Sequence, residues 1–278
     1  SILFFFNLML IKVGITGHTG SLGREIIKSK NGYSFNFFKG DIRDKKKISK
    51  WIKNKKFNAI IHLAAIVPIK VVNSNKKKAY DVNYIATKNI VDQVKKNKIE
   101  WLFFSSTSHV YSSKKSNISE RDKTSPISYY GKTKLLAEKY IIKKLEKSES
   151  KYCIGRIFST TNKNQKINYL VPDLIKKIKQ SKKKITLYNL NHYRDFISMQ
   201  DISKIIFCLY NIKFKGIINI ATGRAVYLKD IATHICKHYK KKVEFKDNIK
   251  KTYLVANIDK LKKIYKKNLV KSLDKMIF

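Results

Sequence analysis

A short apolar run, residues 10–16 (LIKVGIT), breaks into Gly17-His18-Thr19-Gly20-Ser21-Leu22-Gly23 before a stretch with helical spacing. No other feature of the chain limits its fold so strongly. Glycines three residues apart between a strand and a helix permit a tight turn and close backbone approach. The helix start adds unpaired N–H groups and a positive dipole end. A loop of this kind after the first strand of an α/β pattern cradles the pyrophosphate of a dinucleotide. Gly17, Thr19, Gly20, Ser21, Leu22 and Gly23 are therefore candidate cofactor residues. Asp41 follows Gly23 by 18 residues, about where an acidic contact to the cofactor is expected.

The remainder of the first half continues that pattern. Apolar runs at 34–38, 58–65, 101–105 and 152–158 read as buried strands. Segments 21–30, 45–55, 79–97 and 128–146 carry apolar residues at helical spacing. The alternation predicts an α/β, Rossmann-like, doubly wound parallel sheet. Beyond Ser159 the pattern weakens, with helices expected at 172–180, 201–210 and 228–239 and a strand at 216–220. The expected division is a dinucleotide-binding domain over 9–158 and a smaller substrate-binding lobe over 159–278. Elements from about 195 to 222 return to the first domain, and residues 1–8 form a non-structural extension.

The apolar start, residues 1–11, has no basic flank and is shorter than the roughly 18 residues a membrane helix needs. A cytoplasmic protein without a membrane partner is expected. The 61 Lys+Arg against 19 Asp+Glu give a formal charge of +42, which suggests nucleic acid at first sight. Only six of the 61 are Arg, the residue suited to bidentate phosphate and base recognition, and the lysines are spread along the whole chain. This argues for compositional drift and against a nucleic-acid partner. Cys153, Cys208 and Cys236 are odd in number and far apart, which argues against a disulfide scaffold and a structural zinc; no metal is expected.

Tyr130 and Lys134 lie four apart, on one face of the helix expected at 128–146. Spacing alone does not select them, since Tyr84/Lys88, Tyr111/Lys115 and Tyr140/Lys144 share it. Context does, because Tyr130 follows a strand ending in Ser105-Ser106-Thr107-Ser108, and ligands gather at strand ends in parallel sheets. A free phenol titrates near 10. A neighbouring ammonium and an oxidised nicotinamide would favour its phenolate, and a Thr107 hydroxyl would hold the reacting oxygen.

With these residues in place, the chain resembles the extended short-chain dehydrogenases/reductases that act on nucleotide sugars as epimerases and dehydratases. The resemblance spans about residues 10–275. It rests on TGHTGSLG (16–23), GDIRD (40–44), HLAA (62–65), Asn83, SSTSHVY (105–111), YGKTK (130–134) and RDFI (194–197). It implies catalytic Thr107, Tyr130 and Lys134, and a cofactor contacted by Asp41, Ile42, Leu63, Ala64, Ala65, Asn83, Tyr130 and Lys134. It further implies a nucleotide-diphosphate sugar met by Thr107, Ser108, His109 and Arg194, and a homodimer through helices 79–97 and 128–146.

Three departures shape the expected reaction. Ser108 and His109 stand where dehydratases carry acidic groups, so elimination of water is not expected. Ser159 stands where the family has an Asn. The stretch from Gly23 to Asp41 is short, as if a strand and helix were deleted; the acid that selects NAD cannot be identified, and Lys39 suits a 2′-phosphate. The reading is an NAD(P)-dependent epimerase working through a transient keto-sugar, with NAD favoured. An NADPH-dependent keto-sugar reductase is the alternative, and a non-catalytic dinucleotide-binding protein a more distant one.

Overall fold

In the computed structural model, residues 10–28, 32–67, 69–162, 165 and 169–269 are described. The expected extension at 1–8, and residues 270–278 of the expected lobe, lie outside them. The chain opens with β1 (Ile11–Thr16), α1 (Ser21–Lys28), β2 (Tyr33–Phe37), α2 (Lys45–Lys55) and β3 (Ala59–His62). After β3 come α3 (Ile69–Ser74), α4 (Lys76–Tyr80), a π-helical turn (Asp81–Ile85) and α5 (Ala86–Lys96). The first half closes with β4 (Trp101–Thr107), α6 (Tyr129–Leu145) and β5 (Lys151–Ile157).

These strands form one sheet in the order β2, β1, β3, β4, β5, completed by the strand Gly216–Ile220 beside β5, with every pair parallel. After β2 the chain crosses back to the other side of β1, so the strand order reverses between β1 and β3. A crevice opens beyond the carboxyl ends at such a switch point. Only β2 separates α1 from α2, and it forms the sheet edge.

Apolar side chains on alternate strand positions feed two cores. On one face Val13, Ile15 and Phe103 pack with Ile26 of α1 and with Ile202, Ile205 and Leu209 of the helix Met199–Asn211. On the other, Ile60, Leu102 and Phe104 pack with Ile48 of α2, Ile90 of α5 and Ile141 of α6. Caps fix the helix starts, since the Asp44 carboxylate accepts the Lys47 N–H at 2.9 Å and the Ser128 hydroxyl that of Gly131 at 3.0 Å.

The smaller lobe has its own core of Val171, Leu174, Ile178, Ile231 and Ile235. It lies between the helices Leu170–Gln180 and Leu228–His238 and the paired strands Lys184–Tyr188 and Lys242–Lys246. Those strands were not expected from the sequence: KITLY and KVEFK begin with lysine and are half-exposed edges with weak alternation. The single helix expected at 79–97 contains the π-helical turn. Among the described residues, no helix is long and apolar enough to cross a membrane.

Candidate active site

A cavity of about 1130 Å³ opens over the carboxyl ends of β1, β3, β4 and β5. Its floor holds the glycine loop, Leu63, Ala64 and Ala65, and Ser105 to Thr107. Tyr130 and His109 form one side, and Ser159, Thr160, Tyr169 and Arg194 cover it from the smaller lobe.

The three glycines of the loop do different things. Gly17 has a φ of +74, and a Cβ there would lie 2.6 Å from the Ala64 backbone nitrogen. It lets the loop close on β3. A Cβ on Gly23 would meet the Gly17 oxygen and His18 Cα at 2.6 Å, so Gly23 lets α1 pack on the loop. Gly20 differs, because its Cβ would meet only the Gly17 oxygen at 3.3 Å and otherwise face the cavity. That surface is a cradle bounded by the start of α1. It fits the pyrophosphate of a dinucleotide, with Gly20, Ser21 and Leu22 as the residues to hold it.

The remaining candidates divide. Thr19, Asp41, Ile42, Leu63, Ala64, Ala65, Thr107, His109, Tyr130 and Arg194 lie on the wall, whereas Asn83, Ser108 and Lys134 do not. Asn83, expected at the cofactor, is fully buried one layer behind. Its Oδ1 accepts the Ile66 N–H at 2.8 Å and its Nδ2 donates to the Ile66 carbonyl at 3.0 Å, so its amide is used within the fold, behind the wall. Ser108, expected at the substrate, is buried in the short turn after β4. Lys134, expected at the nicotinamide ribose, is 2% exposed and holds its ammonium 4.1 Å from the Phe104 ring centre, where the π face attracts a cation. Burial lowers its pKa to about 7, against an opposing pull from Glu138.

Tyr130 reaches the wall because α6 begins unusually close to the turn after β4. A Cβ on Gly131 would sit 2.2 Å from the His109 carbonyl oxygen. Burial raises the Tyr130 phenol, and the Thr107 hydroxyl beside it pulls the other way. The His109 ring stands edge-on to Tyr130 at 6.0 Å, and burial together with the Arg194 charge lowers its pKa to about 4. His109 is therefore neutral at pH 7. The other Tyr/Lys pairs are off the wall: Tyr111 donates to Asn219 at 2.9 Å, and Tyr140 to Asp92 at 2.7 Å.

Beneath the Ser105–Thr107 floor, Arg156 and Glu138 make a buried ion pair of 2.7 Å, and Ser106 donates to Glu138. Arg194 is different. Its Nη1 donates to the Tyr193 carbonyl at 2.8 Å and the Thr252 hydroxyl at 2.9 Å, and no described carboxylate pairs with it. Burial lowers its pKa to about 10, which still leaves it charged at neutral pH. At the far end Asp41 is gripped by Arg43, whose Nε lies 3.0 Å from both oxygens, while Lys39 on the same wall has no ion-pair partner among the described residues.

Sequence reasoning missed Gln165, Tyr169 and Thr160 as wall residues and Gly131 as a packing requirement, whereas Ser159, singled out at the family's Asn position, does lie on the wall. Of those missed, Gly131 carried a signal, as the small residue directly after the selected tyrosine.

The parallel sheet, the glycine cradle at its switch point and the Thr107–Tyr130 corner define an enzyme of the extended short-chain dehydrogenase/reductase class. A family model described as GDP-mannose 4,6 dehydratase matches residues 13–274, and the chain belongs to that family. It is 28% identical over 250 residues to a GDP-6-deoxy-D-talose 4-dehydrogenase of Aggregatibacter actinomycetemcomitans, covering 86% of this chain and 83% of the relative. It is 25% identical to a UDP-glucose 4-epimerase of Lactobacillus helveticus over 60% of this chain and 56% of that one. Against a Pisum sativum UDP-glucose 4-epimerase, the match spans only 37% of the relative. The fold is shared with the NAD complex of Thermus thermophilus UDP-glucose 4-epimerase, at a TM-score of 0.82 and 18% identity over 96% of each chain. It is also shared with RMD from Pseudomonas aeruginosa complexed with NADPH, at a TM-score of 0.84 and 14% identity over 96% of each chain.

Proposed function

We propose that the protein is an NAD(P)-dependent epimerase of a nucleotide-diphosphate sugar that works through a transient keto-sugar. One observation carries this reading. A single cavity joins a dinucleotide cradle, a buried Tyr130 beside Thr107, and an arginine that no described carboxylate neutralises. NAD(P), which Gly20, Ser21 and Leu22 would hold, would supply the hydride chemistry at the sugar carbon. Thr107 holds the sugar hydroxyl, and Tyr130 takes its proton as the carbonyl forms and gives one back on reduction. Lys134 lies one helical turn on from Tyr130, on the same face of α6. Arg194 holds the diphosphate.

Dehydration fits poorly. The carboxylates on the wall are Asp41, held by Arg43, and Asp173, held by Lys177 at 2.8 Å, and neither stands next to Thr107. His109, its pKa lowered to about 4, has no acidic proton to donate at neutral pH and is a weak base, and Ser108 is off the wall.

A second reading, an NADPH-dependent keto-sugar reductase, is favoured by the Asp41 end. With that carboxylate occupied by Arg43 and Lys39 without an ion-pair partner among the described residues, the wall there suits a 2′-phosphate better than bare ribose hydroxyls. A homodimer through α5 and α6 belongs to either reading, and the exposed Leu136 on α6 supports it. Sedimentation of Leu136→Glu as a monomer is the expected result.

Incubation with UDP-, GDP-, CDP- and dTDP-sugars, followed by product mass, tests the reaction. An epimerised product keeps its mass. A keto-sugar reduced with NADPH gains two hydrogens. A product lighter by one water overturns both readings.

A further inference from the structure

Gln165 is 8% exposed and lies on the wall of the cavity. Among the described residues, its Oε1 is the buried side-chain polar atom with no hydrogen-bond partner. Buried carbonyl oxygens are rarely left in this state, because desolvation is not offset unless a donor arrives. The amide is oriented with Nε2 toward the Thr160 carbonyl at 3.5 Å, and the backbone N–H donates to the Asn162 carbonyl at 3.1 Å. A flipped amide would set two carbonyl oxygens against each other, so the oxygen is the end left free for a ligand.

The position says which part of a ligand it meets. Thr107 pairs in register with Ile157 at the ends of β4 and β5, and the Thr160 carbonyl, three residues beyond Ile157, is the one that Gln165 Nε2 faces. Tyr169, just beyond, is close enough to Tyr130 for its charge to act on the phenol. Gln165 therefore joins the cavity wall on the β4–β5 side, the side that carries Thr107. An Oε1 can only accept, so it cannot serve a diphosphate, which offers no donor at neutral pH.

We infer that Gln165 is a specificity residue whose carboxamide oxygen accepts a hydrogen bond from a hydroxyl of the hexose carried by the nucleotide. This rests on the nucleotide-sugar reading above and adds the residue that tells the sugar from the bare nucleotide. A site built to pair with a hydroxyl also rejects an analogue lacking it, because the buried carbonyl is left orphaned again.

The test is calorimetric titration of the full chain with UDP-, GDP-, CDP- and dTDP-glucose and with the four free nucleoside diphosphates. For whichever nucleotide sugar the parent binds, Gln165→Leu is expected to weaken binding about tenfold to a hundredfold. Binding of the matching nucleoside diphosphate should stay within about twofold, and the melting temperature should not fall, since an unpaired polar atom has been removed. Equal losses for sugar and nucleotide would make the contact one to the base or to the fold and overturn the inference. Unchanged binding of both would also overturn it. A parent that binds none of the nucleotide sugars overturns the proposed substrate class itself, a result distinct from a parent that binds one and a variant that binds it equally well.

Discussion

The Nδ1 atom of His62 lies 2.6 Å from the Thr16 hydroxyl, and this bond is the centre of a buried relay under the cavity floor. Thr16 Oγ1 accepts the Ala64 N–H at 3.3 Å, so its own proton goes to Nδ1. On the other side Thr87 donates to the Asn83 carbonyl at 2.9 Å, which leaves its oxygen to accept from the His62 Nε2–H at 2.9 Å. The tautomer is thereby assigned, and protonation of Nδ1 would break the relay. Burial, with the Lys134 charge, lowers the His62 pKa to about 3.

His62 and His109 are thus held neutral in the fold, while in the unfolded chain each titrates near 6.5. Below pH 6.5 the unfolded chain takes up protons that the native state refuses. The stability each histidine contributes is complete above that pH and is lost as pH falls toward about 3 for His62 and about 4 for His109. The slope is roughly 1.4 kcal/mol per pH unit for each histidine. His62→Gln should flatten the fall of melting temperature between pH 6 and 4.5 relative to the parent. Parallel curves would show that His62 titrates normally in the fold.

The loop glycines predict two separable phenotypes. Gly17→Ala puts a Cβ into the Ala64 backbone at positive φ, so it should destabilise the fold by about 1–3 kcal/mol even without ligand, read as a lower melting temperature. Gly20→Val should melt close to the parent and bind NAD and NADPH at least tenfold more weakly, read by fluorescence titration. Unchanged cofactor affinity in Gly20→Val would remove the cradle from this loop.

Such division of labour was only partly legible in the sequence. The Rossmann-like sheet was visible because its strands are short, apolar and punctuated by glycine and polar turns. Tyr130 was selected from four tyrosine–lysine pairs by what precedes it. What stayed hidden is side-chain direction and depth: Asn83 and Lys134 share motifs with wall residues yet sit behind them, because one amide is used by Ile66 and one ammonium by Phe104. Gln165 was invisible because its significance is an unmade bond. The strands of the smaller lobe, built from lysine-rich edges, gave too little alternation to be seen.

Breaking the Glu138–Arg156 pair should cost more than its position outside the cavity suggests. The two side chains are 1% and 4% exposed. Arg156→Met leaves a buried carboxylate without its cation, at about 3–5 kcal/mol. Thermal or urea melting of Arg156→Met beside the double variant Arg156→Met/Glu138→Leu checks this, and the double variant should recover part of the loss. A single variant as stable as the parent would mean that the pair is open to water.

Tyr130→Phe should bind cofactor like the parent and lose turnover by about 10²–10⁴-fold, since only the proton-transfer group is removed. Tyr111→Phe should instead lose stability, because the phenol oxygen accepts from Arg156 at 2.7 Å and donates to Asn219 within the buried network. Tyr140→Phe, which loses only its bond to Asp92, should turn over normally. Equal loss of turnover in all three would defeat the choice of Tyr130.

Arg194 and its neighbour Asp195 make the last comparison, because they could have neutralised each other and do not. Asp195 is fully buried and accepts from the Thr222 N–H and hydroxyl at 2.8 and 2.6 Å, the Gly223 N–H at 2.8 Å and the Ala256 N–H at 3.3 Å. It stitches the smaller lobe to the loop after the last strand of the sheet. Arg194 is left with two neutral partners and a charge facing the cavity, so its removal orphans no carboxylate. Arg194→Ala should therefore change the melting temperature little and weaken nucleotide-sugar and nucleoside-diphosphate binding alike, about tenfold to a hundredfold, with cofactor affinity kept. Asp195→Asn should do the reverse and destabilise the fold by about 1–3 kcal/mol with binding preserved in the molecules that remain folded. Calorimetric titration and melting of both variants decide the matter. If Arg194→Ala melts far below the parent and binds diphosphates normally once folded, the arginine is a structural cation and the diphosphate is held elsewhere.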